Sequence, residues 1–147
     1  MKAGDVFRWV NFPYPQIGTE IKPRWFIYLG NSPSYLTPII AYLCTTTTSL
    51  MDFEKGGRRE GHKYYRFGKG KYPFEEECVL DFYERPFSFS KQELETNKDI
   101  EIRGSLDDGT IREIYEGIYH SSYYSRQEKI DIHDSLNLIG ITGLRKI

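Results

Sequence analysis

Arg24 opens one apolar run, "RWFIYLG", and four threonines, Thr45, Thr46, Thr47 and Thr48, close the next, "IIAYLCTTTT". Together these residue types suit the handling of a phosphodiester. A guanidinium presents a planar fork of donors that matches phosphate oxygens and stays charged at any working pH. A threonine hydroxyl adds one neutral hydrogen bond to the same oxygens. If the two runs are antiparallel strands joined by a short loop, the start of the first lies opposite the end of the second, and residue 24 meets the threonine run. Thr46 is the first candidate partner, with Thr45 and Thr47 as alternatives, because a one-residue slip reverses the face of a strand. Both features also have plain structural explanations: a strand-edge cation beside Glu20, and β-branched residues filling a strand end.

A second constellation is the stretch "KGGRREGHKYYRFGKGK" over residues 55–71, with seven Lys and Arg against the single Glu60. The chain as a whole carries only -1, so the rest of it is acidic and no global field draws in nucleic acid. The stretch interleaves cations with Tyr64, Tyr65 and Phe67, which suits a single strand: charges for phosphates, rings for bases. Lys63, Tyr64 and Arg66 are its candidate RNA contacts. A solvated hairpin tip, or a surface for an acidic protein tail, explains the same run. His62, His120 and His133 lack metal-ligand spacing, and Cys44 and Cys78 make neither a zinc motif nor a disulfide framework. The expectation is no metal and no cofactor.

The elements that must position these residues are mostly strands. At 147 residues the chain suits a single domain, 1–147, with a real core. "DVFRWVNF", "RWFIYLG", "IIAYLCT", "HKYYRF" and "ECVLDFY" read as strands, the third nearly continuous and therefore central. "FSKQELETN" reads as one or two helical turns after Ser90, and "DIEIRG" as a short strand. Leu106, Ile111, Ile114, Tyr115 and Ile118 recur at helical spacing over 106–119, with Ser105 as the expected cap. The stretch after Arg126 is readable as a short helix or a strand. The pattern predicts a mainly β, α+β protein: a small curled antiparallel sheet with a C-terminal helix packed against it. The N-terminus "MKAGDVFRWV" has no apolar signal core and no segment approaches a membrane span, so a cytoplasmic protein without membrane contact is expected.

The order "GDVFRWVNFP", "GTE", "KPRWFIYLGN" and "PIIAYLCTT" resembles the MazF/PemK/Kid toxins. The resemblance covers roughly residues 3–50 well and is architectural beyond about residue 90. It implies a compact SH3-like, CcdB-like barrel with a C-terminal helix, a homodimer, and a metal-independent endoribonuclease acting on single-stranded RNA. It further implies a cognate antitoxin protein that holds the enzyme inactive. Carried over by position, Arg24 matches the family's catalytic arginine and Thr46 its threonine. Asp81 in "VLDFY" matches an acidic position near the scissile phosphate. Glu20, Thr45 and Thr47 would line the RNA beside them. Two readings from other classes stand next to this one: an SH3-like module that binds RNA or protein without chemistry, and a toxin directed at a protein target.

Overall fold

The computed structural model describes residues 1–14 and 23–147. Seven strands and three helices follow in the order β1 (Asp5–Trp9), β2 (Arg24–Asn31), β3 (Ile40–Thr45), β4 (Tyr64–Phe67), β5 (Cys78–Asp81), β6 (Phe87–Ser90), α1 (Lys91–Thr96), β7 (Ile100–Ser105), α2 (Asp108–His120) and α3 (Arg126–Leu138). Five strands form one antiparallel sheet in the order β6-β3-β2-β1-β7, and β4 and β5 form a separate hairpin. An antiparallel bridge, Thr47 to Val79, ties that hairpin to the end of β3. The strands expected at Val6, Arg24 and Ile39 thus share one antiparallel sheet, and the nearly continuous apolar run lies inside it.

The sheet is covered on both faces, which explains why its three middle strands are buried almost throughout. On one face Val6, Ile27, Leu29 and Cys44 pack with Ile111, Ile114 and Ile118 of α2, Ile132 and Leu136 of α3, and Phe67 and Leu80 of the hairpin. On the other face Phe7, Trp9, Phe26, Tyr28 and Leu43 gather round Phe12 and Leu94. This second core shows how strongly the sheet curls. Trp9 on β1 lies 5.1 Å from Phe89 on β6, although β2 and β3 stand between those strands. A flat sheet would hold them roughly 14 Å apart. The curl folds the sheet round its own aromatic side chains. Among the described residues, no pairing joins the edge strands β6 and β7 into a closed barrel.

The helices differ in detail from the sequence expectation. The cap of α2 is Asp107, whose carboxylate accepts from the Thr110 N–H, so Ser105 belongs to β7 instead. An ionised oxygen at the cap is the stronger acceptor and also favours the positive end of the helix. The undecided stretch after Arg126 is a full helix, α3, started by a capping box in which Ser125 and Glu128 each satisfy the other's backbone N–H. Ser90 caps α1 as its sequence position suggests.

Candidate functional site

Strand register decides the fate of the first constellation. Phe26 stands opposite Thr45 and Ile27 opposite Cys44, so Arg24 shares the face of Phe26 and Thr45. Thr46 belongs to the opposite face, where its hydroxyl lies beside the Cys78 thiol. The expected Arg24–Thr46 pair is therefore not formed: the two side chains point to opposite sides of the sheet. The Arg24 guanidinium is half-buried over the rings of Phe12, Phe26 and Phe87, at 5.4, 5.9 and 5.6 Å from their centroids. Burial lowers its pKa, and the negative charge of Glu84 works the other way. The neighbouring hydroxyls are engaged within the fold. Thr45 donates to the Trp25 carbonyl at 2.8 Å, and Thr47 accepts from the Ser49 N–H at 3.1 Å while its backbone bridges to Val79.

The second constellation and Asp81 come together instead. Asp81, the last residue of β5, is buried, its side chain only 2% exposed. A carboxylate in that position must be compensated, and three donors converge on it. Arg59 Nη1 reaches Oδ2 at 3.0 Å, His62 Nδ1 reaches Oδ2 at 3.0 Å, and the Tyr83 N–H reaches Oδ1 at 2.9 Å. Arg59 Nη1 also bonds Glu84 at 2.8 Å, and its guanidinium lies 5.7 Å from the Phe53 centroid. Glu84 thus lies within electrostatic reach of both Arg59 and Arg24. An ionised carboxylate only accepts, so the bond from His62 requires its proton on Nδ1. In the neutral ring Nε2 is then the acceptor, held in a fixed orientation on a side chain that remains 29% exposed.

Local backbone structure explains why these groups meet. After β3 the chain passes through the 3-10 turn Leu50–Phe53, and the Arg59 N–H bonds back to the Asp52 carbonyl. That turn brings Arg59 and His62 to the start of β4, where Tyr64 pairs with Asp81. Beyond the ladder, the Phe82 N–H bonds the Lys63 carbonyl, so His62 and Tyr83 face each other at the end of the hairpin. Their rings stack at 4.4 Å and 20°, and Tyr123 stacks on Tyr83 at 5.4 Å and 25°. Ser121 holds Tyr123 there: its buried hydroxyl donates to the Phe82 carbonyl and accepts from the Tyr123 N–H.

The remaining candidates divide. Tyr64 is exposed beside Phe53, and Lys63 is exposed at the same end of the hairpin. Arg66 is exposed but forms a 2.7 Å ion pair with Glu77. Glu20, and most of the loop before Arg24, lie outside the described residues. Much of the basic stretch is answered by local acids, Arg58 by Asp52 and Arg59 by Asp81 and Glu84. Both cysteines are free and buried, and burial raises the Cys78 thiol to about 11. Among the described residues no cluster of three His, Cys, Asp or Glu side chains could hold a metal, and no helix is long and apolar enough to cross a membrane. Sequence reasoning singled out Asp81 but passed over Arg59, His62, Tyr83 and Tyr123. The signal that marks His62 is a lone imidazole inside a basic, aromatic stretch, not metal-ligand spacing. No family model, curated protein or solved structure matches this chain.

Proposed function

We propose that this chain is a metal-independent endoribonuclease of the MazF/PemK type in which His62, oriented by Asp81, moves the proton. The observation that carries the reading is the arrangement at Asp81: a buried carboxylate that fixes one imidazole tautomer and leaves Nε2 for chemistry. In such a reaction the 2'-hydroxyl attacks the adjacent phosphorus, the 5'-oxygen leaves, and a cyclic phosphate remains. His62 Nε2 takes the 2'-hydroxyl proton, and the departing 5'-oxygen takes one from solvent and leaves as a 5'-hydroxyl end. Arg59 uses only Nη1 for its two carboxylate bonds among the described residues, which leaves Nη2 and Nε to meet the charge on the phosphorane oxygens. Asp81, being buried, positions His62 and does not touch the phosphate. The strong curl of the sheet supports an SH3-like, CcdB-like barrel as the finer description of the fold. By the same resemblance the protein is a cytoplasmic homodimer, and an acidic antitoxin tail would find the exposed Lys55, Lys63, Lys69 and Lys71.

The separation of Arg24 from Thr46 favours a second reading, a module of the same fold that binds RNA without cutting it. One experiment divides the two. Purified protein is incubated with a long single-stranded RNA, with and without EDTA, and the ends are mapped. The first reading expects cuts in both conditions and cyclic phosphate termini. His62→Ala should lower the rate by about a hundredfold or more, the usual range for an acid-base group, and added imidazole should restore part of it. Intact RNA from the parent protein leaves the binding module. A His62→Ala protein that cuts at the parent rate removes the imidazole from the chemistry.

A further inference from the structure

We infer that the rings of Tyr123, Tyr83 and His62 form a nucleobase-stacking track, on which a base of single-stranded RNA continues the column over Tyr123; this inference rests on the proposed RNA cleavage and deepens it. Three observations carry it. The rings are nearly parallel in sequence along the column, at 20° and then 25°. Tyr83 and Tyr123 stay 37% and 43% exposed, and neither belongs to either hydrophobic core. The column is also held in place. The Ser121 hydroxyl docks the start of the α2–α3 connection onto the exit of β5 by donating to the Phe82 carbonyl and holds Tyr123 by accepting from its N–H, and Asp81 fixes both the Tyr83 backbone and the His62 ring.

Tyr83 is sandwiched between the other two rings, so the column grows at its exposed end ring, Tyr123, and every nucleobase offers a matching π-face. The column's inner end is the imidazole that would move the proton, two ring spacings from Tyr123, so a strand with a base seated over Tyr123 runs along the column and brings the phosphate of a neighbouring nucleotide towards His62. Lys63, exposed next to that end, supplies a cation for the backbone. Bases in a duplex are stacked on each other and offer no free face, so the track selects single strands.

The test measures binding apart from cleavage, by anisotropy with a labelled single-stranded 2'-O-methyl oligonucleotide that cannot undergo 2'-hydroxyl attack. The parent protein should bind this strand about tenfold or more tightly than the same sequence as a duplex. Tyr123→Ala should weaken single-strand binding about tenfold, the scale of one lost base–aromatic stack, and Tyr123→Phe should retain it. Equal affinity for single strand and duplex, unchanged binding by Tyr123→Ala, or a Tyr123→Phe protein as weak as Tyr123→Ala would each overturn the track. So would an absence of oligonucleotide binding, which would leave these rings to a protein partner. A parent protein that shows the expected binding pattern but leaves natural RNA intact keeps the track and sinks the cleavage. One that cuts RNA while Tyr123→Ala binds normally does the reverse.

Discussion

At the scale of single residues, Asp81 has the most to lose by a small change. Its two oxygens accept from a guanidinium, an imidazole and a backbone N–H in a site almost closed to water. Asp81→Asn keeps the shape and removes the charge. The new amide cannot accept from all three donors, and it places an N–H where an acceptor stood. His62 loses the partner that fixes its proton on Nδ1, and Arg59 keeps only Glu84. The proposed cleavage should fall by about two to four orders of magnitude, as for loss of an oriented acid-base group. Stability should fall by about 1–3 kcal/mol, the cost of leaving a buried polar group unsatisfied. Rate assays and urea unfolding of the same variant check both. A variant that unfolds at the parent urea concentration and cuts at the parent rate would place Asp81 outside both roles.

At the scale of elements, the site depends on how closely α2 approaches the end of β5. Gly117 makes that approach possible. A methyl group there would lie 2.2 Å from the Phe82 ring, well inside any permitted contact. Gly117 sits inside α2, where alanine is by itself the better helix former by about 1 kcal/mol. Helix propensity and packing therefore make opposite predictions for Gly117→Ala. The ring belongs to the main core and has little room to withdraw, so packing should win. We expect a net loss of about 1–3 kcal/mol in chemical denaturation, typical of overpacking. An unchanged or raised midpoint would mean that Phe82 can move aside and that propensity decides.

At the scale of the whole molecule, burial has raised the pKa of several acids whose neutral forms the core accommodates. Burial pushes Cys78 from 9.0 up to about 11, and it also raises Cys44, Tyr28, Tyr42 and Tyr124. A folded pKa above the unfolded value means that the unfolded chain releases its proton first as pH rises. These groups therefore contribute their full stability below the unfolded values of 9.0 and 10.0, and lose it progressively above them. The urea midpoint should hold from neutrality to about pH 8.5 and then fall steadily through pH 11. Cys78→Ala should soften the part of the fall that begins near pH 9. A midpoint flat to pH 11 would contradict the burial assigned to these groups.

The amino-acid sequence by itself determined most of the elements, since apolar runs and helical spacing are local signals. Val6 to Trp9, Arg24 to Gly30 and the run ending at Cys44 are short, strongly apolar runs, as strands covered on both faces are, and Leu106 to Ile118 carries the period of a helix that buries one side of itself. The sequence also marked Arg24, the threonines, Asp81 and the basic stretch as chemically able. Tertiary structure alone decided which of them meet. A one-residue difference in register sends Thr46 to the far side from Arg24, and no local pattern encodes that choice. Asp81 lies 19 residues from His62 and 22 from Arg59 along the chain, and Tyr123 comes from a different connection altogether. Only the β4–β5 hairpin and the docking of α2 bring them together, because a site assembled across long loops is specified by packing, and packing has no signature in any one segment.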